Sequence, residues 1–163
     1  MTALLIALQS ALCAVFLLAV AGKLVGWRAS VEWVTQLGVR FPVPVLTAVV
    51  AVEVAIAALV SVRPALSVWP GLAFLAGASA VLYRADRRNL GCACFGGGLA
   101  KQVTAASYLR NAALAGGFVL VSVLAAGSGY DTRDLGLVAV PLAVGVAAPA
   151  VRAAVLLRPR EGW

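Results

Sequence analysis

Two cysteines one residue apart, Cys92 and Cys94, stand in the stretch RRNLGCACFGGG, Arg87 to Gly98, of a chain with one further cysteine and no histidine. Two thiols so close can hold a soft metal, pack as inert side chains, or cycle between dithiol and disulfide. Zinc prefers four ligands, and without histidine the chain cannot complete the usual sets. Copper(I) or mercury is satisfied by two thiolates, so a soft-metal binding or transport role stays open. Purely structural cysteines are a poor fit to a glycine-rich loop that packs little. Redox cycling fits best. Arg84, Arg87, Arg88 and Lys101 surround the pair, and nearby cations favour the nucleophilic thiolate. A disulfide across one intervening residue closes a small, strained ring, which makes it more oxidising and quicker to exchange. Gly91 and Gly96 to Gly98 supply backbone freedom for such a ring, and Phe95 is placed to anchor the loop at a membrane interface.

The elements that carry this loop are those of a membrane protein. The chain has 163 residues, 63% of them hydrophobic and only 12% charged, with a mean hydropathy of +1.02. A water-soluble domain of this length needs more polar surface than that. The net charge of +7 does not signal nucleic-acid binding, because the arginines are scattered between apolar runs rather than gathered into a patch. Three cysteines cannot all pair within one chain, which excludes a disulfide-stapled secreted scaffold.

A transmembrane helix needs about 20 mostly apolar residues. Such runs occur at Ala3 to Ala21, Val43 to Val62, Leu66 to Tyr83, Thr104 to Ala126 and Leu135 to Leu157. The first is read as a retained helix rather than a signal peptide, because no Lys or Arg precedes it. The last contains Pro141, Gly145 and Pro149 and is expected to kink. Between the first two lies WRASVEWVTQLGVRF, residues 27 to 41. There Trp27, Val31, Val34 and Leu37 recur at helical spacing, with Arg28, Glu32 and Gln36 on the other face. This predicts a short amphipathic helix in the membrane interface, Trp27 and Trp33 at headgroup depth, ended by Gly38. The expected fold is an all-α integral membrane bundle of four to five transmembrane helices. Residues 1–126 form its four-helix part; residues 127–163 hold the polar turn GSGYDTRD, a fifth span and a basic C-terminal tail. Ala112 and Gly116 offer a small-xxx-small contact, a weak signal in a chain so rich in small residues.

Charges inside the spans need partners. Glu53 is nine residues past Pro44, and Arg110 nine past Lys101. Both helices start from the same side, so each charge is roughly 13 Å deep at the helical rise. Equal depth predicts a Glu53–Arg110 ion pair with Asn111 and Tyr108 adding hydrogen bonds. Lys23, at the end of the first span, either joins this polar interior or snorkels to the surface. The centre reads as an interhelical clamp or as a polar site for protons, a quinone or a partner's side chain. Cys13, well inside the first span, reads as a small hydrophobe.

AGKL (Ala21 to Leu24) closing the first helix, Glu53 in the second, GCACFG (Gly91 to Gly96) before the fourth and LRNAAL (Leu109 to Leu114) within it resemble the MauE family of methylamine-utilisation membrane proteins, related to the DoxX-like bundles. The likeness covers about residues 1 to 125, and its most specific element is Cys-x-Cys-Phe-Gly; family members often have Gly where this chain has Ala93. The resemblance implies a cell-membrane, multi-pass protein that serves thiol–disulfide exchange with a thioredoxin-like partner during maturation of a client enzyme. In the founding systems that client is the small subunit of methylamine dehydrogenase. Cys92 and Cys94 would then be the redox pair, a thiol–disulfide oxidoreductase if catalytic, shaped by Gly91, Phe95 and Gly96 and backed by Glu53, Arg110, Lys23 and Asn111. Vitamin K epoxide reductase-like and DsbB-like bundles suggest a quinone as acceptor by analogy, but they carry a second cysteine pair and this chain has only three cysteines. A non-catalytic membrane anchor or scaffold subunit of an oxidoreductase complex is the other reading.

With five spans, eleven of the Lys and Arg residues fall on or near the side of the cysteine loop, against Arg63 and Arg133 on the other. The positive-inside rule then places the loop in the cytoplasm, whereas maturation of an exported client would want it outside.

Overall fold

The computed structural model describes residues 2–92, 101–102 and 104–127. In chain order these form α1 (Thr2–Val25), α2 (Trp27–Gln36), α3 (Pro42–Val62), α4 (Pro64–Arg87), β1 (Gly91–Cys92), β2 (Lys101–Gln102) and α5 (Ala105–Gly127). The fifth span expected over Leu135 to Leu157, and the turn and tail around it, lie outside the described residues.

Four of the helices, α1, α3, α4 and α5, are long and apolar enough to cross a membrane, with mean hydropathies of 1.7 to 2.5 over their best windows. They are apolar all round, as a helix between lipid and a core must be. Their outward faces carry Val52, Val54, Leu66, Trp69, Leu109 and Val123, each more than 40% exposed. Their inward faces hold Gln9, Lys23, Glu53, Ser61, Ser67 and Asn111. Such a distribution, greasy outside and polar within, suits a bilayer and not water. The protein is an all-α helical membrane bundle with multiple spans.

Prolines set the helix starts. Pro42 and Pro64 occupy first-turn positions, where the missing N–H is not needed and the fixed φ suits a helix. Arg63 alone separates α3 from α4, so these two form a tight antiparallel hairpin. Around the bundle the neighbours run α3, α1, α5, α4 and back to α3, an up-down-up-down ring in which α3 and α5 are diagonal. The short helix α2 lies across α3 and α1, at the end where α4 finishes and α5 begins. It turns Ser30, Val34 and Leu37 inward and leaves Arg28, Glu32 and Gln36 exposed, as the amphipathic pattern predicts.

In lipid there is little solvent-driven force between helices, so close packing holds them together. Phe118 of α5, fully buried, meets Phe16 of α1 edge-on with ring centroids 5.8 Å apart, and Phe16 in turn stacks toward Phe74 of α4 at 5.7 Å. Gly71 makes room for this cluster: a Cβ there would lie 2.5 Å from the Phe118 ring. Gly117 likewise lets Leu12 approach, a Cβ there lying 3.3 Å from it. The Ala112 and Gly116 pair noted in the sequence is not one of these close contacts. Both residues are exposed, and a Cβ on Gly116 would meet nothing among the described residues.

The end of the bundle away from α2 has its own buried polar contacts. Gln9 donates from Nε2 to the Val60 carbonyl at 3.2 Å. Ser61 donates to the Ala57 carbonyl at 3.0 Å, its Oγ lying 3.6 Å from Cys13 Sγ. Cys13 is buried in the apolar core.

Candidate functional site: a cysteine loop above a charged cavity

The base of the cysteine loop is built by the end of α4. Asn89 adopts a left-handed φ of 53°, which lets the chain turn back and the Leu90 amide reach the Ala85 carbonyl at 2.9 Å. This is the six-to-one bond of a Schellman-type stop, and Asn is the residue after Gly best suited to the conformation. Immediately beyond, Gly91 pairs with Gln102 and Cys92 with Lys101 in a two-residue antiparallel ladder. The ladder closes the two feet of the loop upon each other, with Cys92 in register with Lys101. Cys94, Phe95 and Gly96 lie outside the described residues.

Arg88 joins this base to α2. Its Nη1 donates to the Gln36 carbonyl at 3.1 Å, one of the last carbonyls of α2 and otherwise without a helical donor. The guanidinium packs over Gly38, which has a φ of +80° and would put a Cβ 3.1 Å from that nitrogen. Gly38 therefore serves twice, ending α2 as the sequence predicts and leaving space for Arg88. The loop base and the interfacial helix are one connected surface.

Below α2 lies the polar centre. Lys23 Nζ sits 2.7 Å from Glu53 Oε1, with the two side chains only 8% and 5% exposed. The carboxylate's ion pair is thus made with Lys23 and not, as equal depth predicted, with Arg110. The reason is adjacency. Depth along a helix can be counted, but α3 and α5 stand diagonally, whereas α1 and α3 are antiparallel neighbours that bring the last turn of α1 beside Glu53. Asn111 is buried and donates from Nδ2 to Ser79 Oγ on α4 at 3.1 Å, rather than serving Glu53. Tyr108 is half-buried on the same helix.

Lys23, Glu53, Arg110 and Asn111 nevertheless line one cavity of about 400 Å3, so the structure brings the predicted interior residues together around a shared space. The rest of the wall is apolar and includes Phe16, Trp33 and Phe74. Trp33, expected at headgroup depth, also lines this cavity from α2. The amphipathic pattern showed which face of α2 is greasy, but not that this face roofs an internal space. Ser79 as the partner of Asn111, and the cavity itself, carry no signal in sequence spacing.

Such a fold and interior define a class: a helical membrane bundle, with four long apolar helices among the described residues, a paired charge in its core, and a short amphipathic helix and the base of a cysteine loop at one end. The chain belongs to the MauE family; the family model, described as methylamine utilisation protein MauE, matches residues 1–126. No curated protein and no solved structure matches it.

Proposed function

We propose that the protein is a membrane thiol–disulfide exchange component in which Cys92 and Cys94 trade a disulfide with a thioredoxin-like partner. The family ties it to methylamine utilisation, and the client we infer is an enzyme of that system, of the methylamine dehydrogenase type, whose maturation requires disulfide formation. The observation carrying the reading is the base of the loop. Cys92 follows directly on a capped helix end, inside a ladder that holds the loop's feet together, with Lys101 in register opposite it. The base of the loop thus stands at the α2 end of the bundle, tied to the end of α4, which supports the reading of Cys92 and Cys94 as an exchanging pair.

In the exchange, one thiolate of the reduced pair attacks the partner's disulfide and releases the partner's first thiolate. The second thiolate then attacks the mixed disulfide, the partner leaves as a dithiol, and this chain is left with a Cys92–Cys94 disulfide. Two electrons pass to the partner; the reverse sequence returns them. Lys23, Glu53, Arg110 and Asn111 support the interior behind the loop.

The test is trapping. A Cys92→Ser or Cys94→Ser chain retains one thiol and is expected to accumulate as a mixed disulfide with a thioredoxin-fold protein, visible as a reducible adduct. Full client maturation with both cysteines replaced by serine would leave the protein a scaffold and end the redox reading.

A further inference from the structure

The cavity beneath α2 has features that the thiol chemistry does not use. Its polar end is specific. Glu53 gives Oε1 to Lys23, but Oε2 is buried and has no hydrogen-bond partner among the described residues. A carboxylate oxygen is an acceptor, and burying it without a donor costs free energy, roughly 1–3 kcal/mol or more for a charged group. The atom that satisfies it must be an O–H or N–H. A fatty-acid carboxylate or a phosphate presents only acceptors and leaves Glu53 Oε2 without a donor, whatever it gains from Arg110 elsewhere on the wall. A cationic head would meet Lys23, whose ammonium sits on the other oxygen. A neutral hydroxyl is the head that fits.

The body of the ligand is defined by the rest of the wall. Phe16, Trp33 and Phe74 contribute aromatic surface, and the remaining lining is mostly aliphatic. A volume of about 400 Å3 lies in the range that encloses a drug-sized molecule rather than a few waters. Val45 on the first turn of α3 and Val81 near the end of α4 both line the cavity and are both 41% exposed. The cavity is set among helices long and apolar enough to span a membrane, so a molecule dissolved in the bilayer is the natural class of ligand to fill it.

We propose that this cavity is a binding site for a membrane-soluble phenol, its hydroxyl donating to Glu53 Oε2 and its ring held among Phe16, Trp33 and Phe74. The site is independent of the cysteine loop and stands whether or not Cys92 and Cys94 exchange disulfides.

Trp33 supplies the test. The full chain in lipid nanodiscs, with Trp27, Trp69 and Trp163 replaced by Phe, reports from Trp33 alone. The probe is a para-alkylphenol carrying bromine at the end of its tail, a quencher of indole emission. Saturable quenching is expected, with affinity about ten-fold weaker for the methyl ether of the same probe, which has lost only the donor. A bromo fatty acid of equal length is expected to bind more weakly than the phenol. Ala78→Leu, which fills the cavity without touching the ion pair, is expected to abolish saturation while the thermal transition of the bundle persists. Equal binding of phenol and methyl ether, tighter binding of the fatty acid, unsaturable quenching of the parent chain, or unchanged quenching in Ala78→Leu would each overturn the proposal.

Discussion

Lys23 Nζ lies 2.7 Å from Glu53 Oε1 across the α1–α3 interface, the two side chains 8% and 5% exposed. The pair joins the end of the first membrane helix to the middle of the second. Removing one partner leaves the other charge buried, at a cost of about 3–5 kcal/mol. Glu53→Gln should therefore destabilise the purified bundle by that order, and Lys23→Met should do the same. The double variant should lose clearly less than the sum, giving a coupling of about 2 kcal/mol or more. The corresponding cycle between Glu53 and Arg110 should show under about 1 kcal/mol, because these residues stand on diagonal helices. Thermal unfolding in detergent, followed by loss of helical signal, measures both.

The aromatic cluster depends on one missing methyl group. Gly71→Ala places a Cβ 2.5 Å from the ring of Phe118, which is fully buried and must shift to accept it. Destabilisation of about 1–3 kcal/mol is expected. Gly116→Ala, whose Cβ meets nothing among the described residues, should be neutral or slightly stabilising through better helix propensity. A comparison of the two melting temperatures checks this, and equal effects would show that the Gly71 contact does not matter.

Asn89 holds the base of the cysteine loop by its left-handed backbone. Asn89→Gly should be tolerated, since glycine adopts that conformation without cost. Asn89→Val should cost about 1–2 kcal/mol locally. Faster hydrogen exchange at Leu90, whose amide bonds to Ala85, is the expected signature of the Val variant.

Arg88 ties the same base to α2 through the Gln36 carbonyl. The bond is exposed, so Arg88→Gln should change global stability by no more than about 1 kcal/mol. Its effect should be local: hydrogen exchange in the last turn of α2 is expected to rise while the four long helices keep their protection.

The side of the membrane faced by the cysteine loop is open to direct labelling. The positive charges of the described residues gather at the α2 end, among them Arg28, Arg40, Arg84, Arg87 and Arg88, against Arg63 at the other end. On the positive-inside rule, a membrane-impermeant thiol reagent should leave Cys92 and Cys94 unmodified in intact cells and modify them in inverted vesicles after mild reduction. Modification in intact cells would place the loop outside, where an exported client matures.

Much of the architecture was legible in the residues themselves. Runs of about 20 apolar residues marked the four long helices to within a few positions, because the thickness of hydrocarbon dictates their length. Pro42, Pro64 and Gly38 marked boundaries through backbone geometry that needs no neighbour. The alternation of WRASVEWVTQL marked α2 as amphipathic, and the lone charges in apolar spans marked Glu53 and Arg110 as members of a polar interior, while Lys23 was left between that interior and the surface. Depth was also readable, since a helix advances by a constant rise.

Adjacency was not readable. Which helices stand side by side and which stand diagonally is settled by side-chain packing, here by Gly71 accepting Phe118 and Gly117 accepting Leu12. That packing paired Glu53 with Lys23 instead of Arg110, gave Asn111 to Ser79, and set Trp33 in the wall of a cavity. Local sequence encodes the length, polarity and caps of each helix, because those follow from the chain's own backbone and from the lipid around it. Partners across the bundle follow from how several surfaces fit together at once, and only the folded chain decides that.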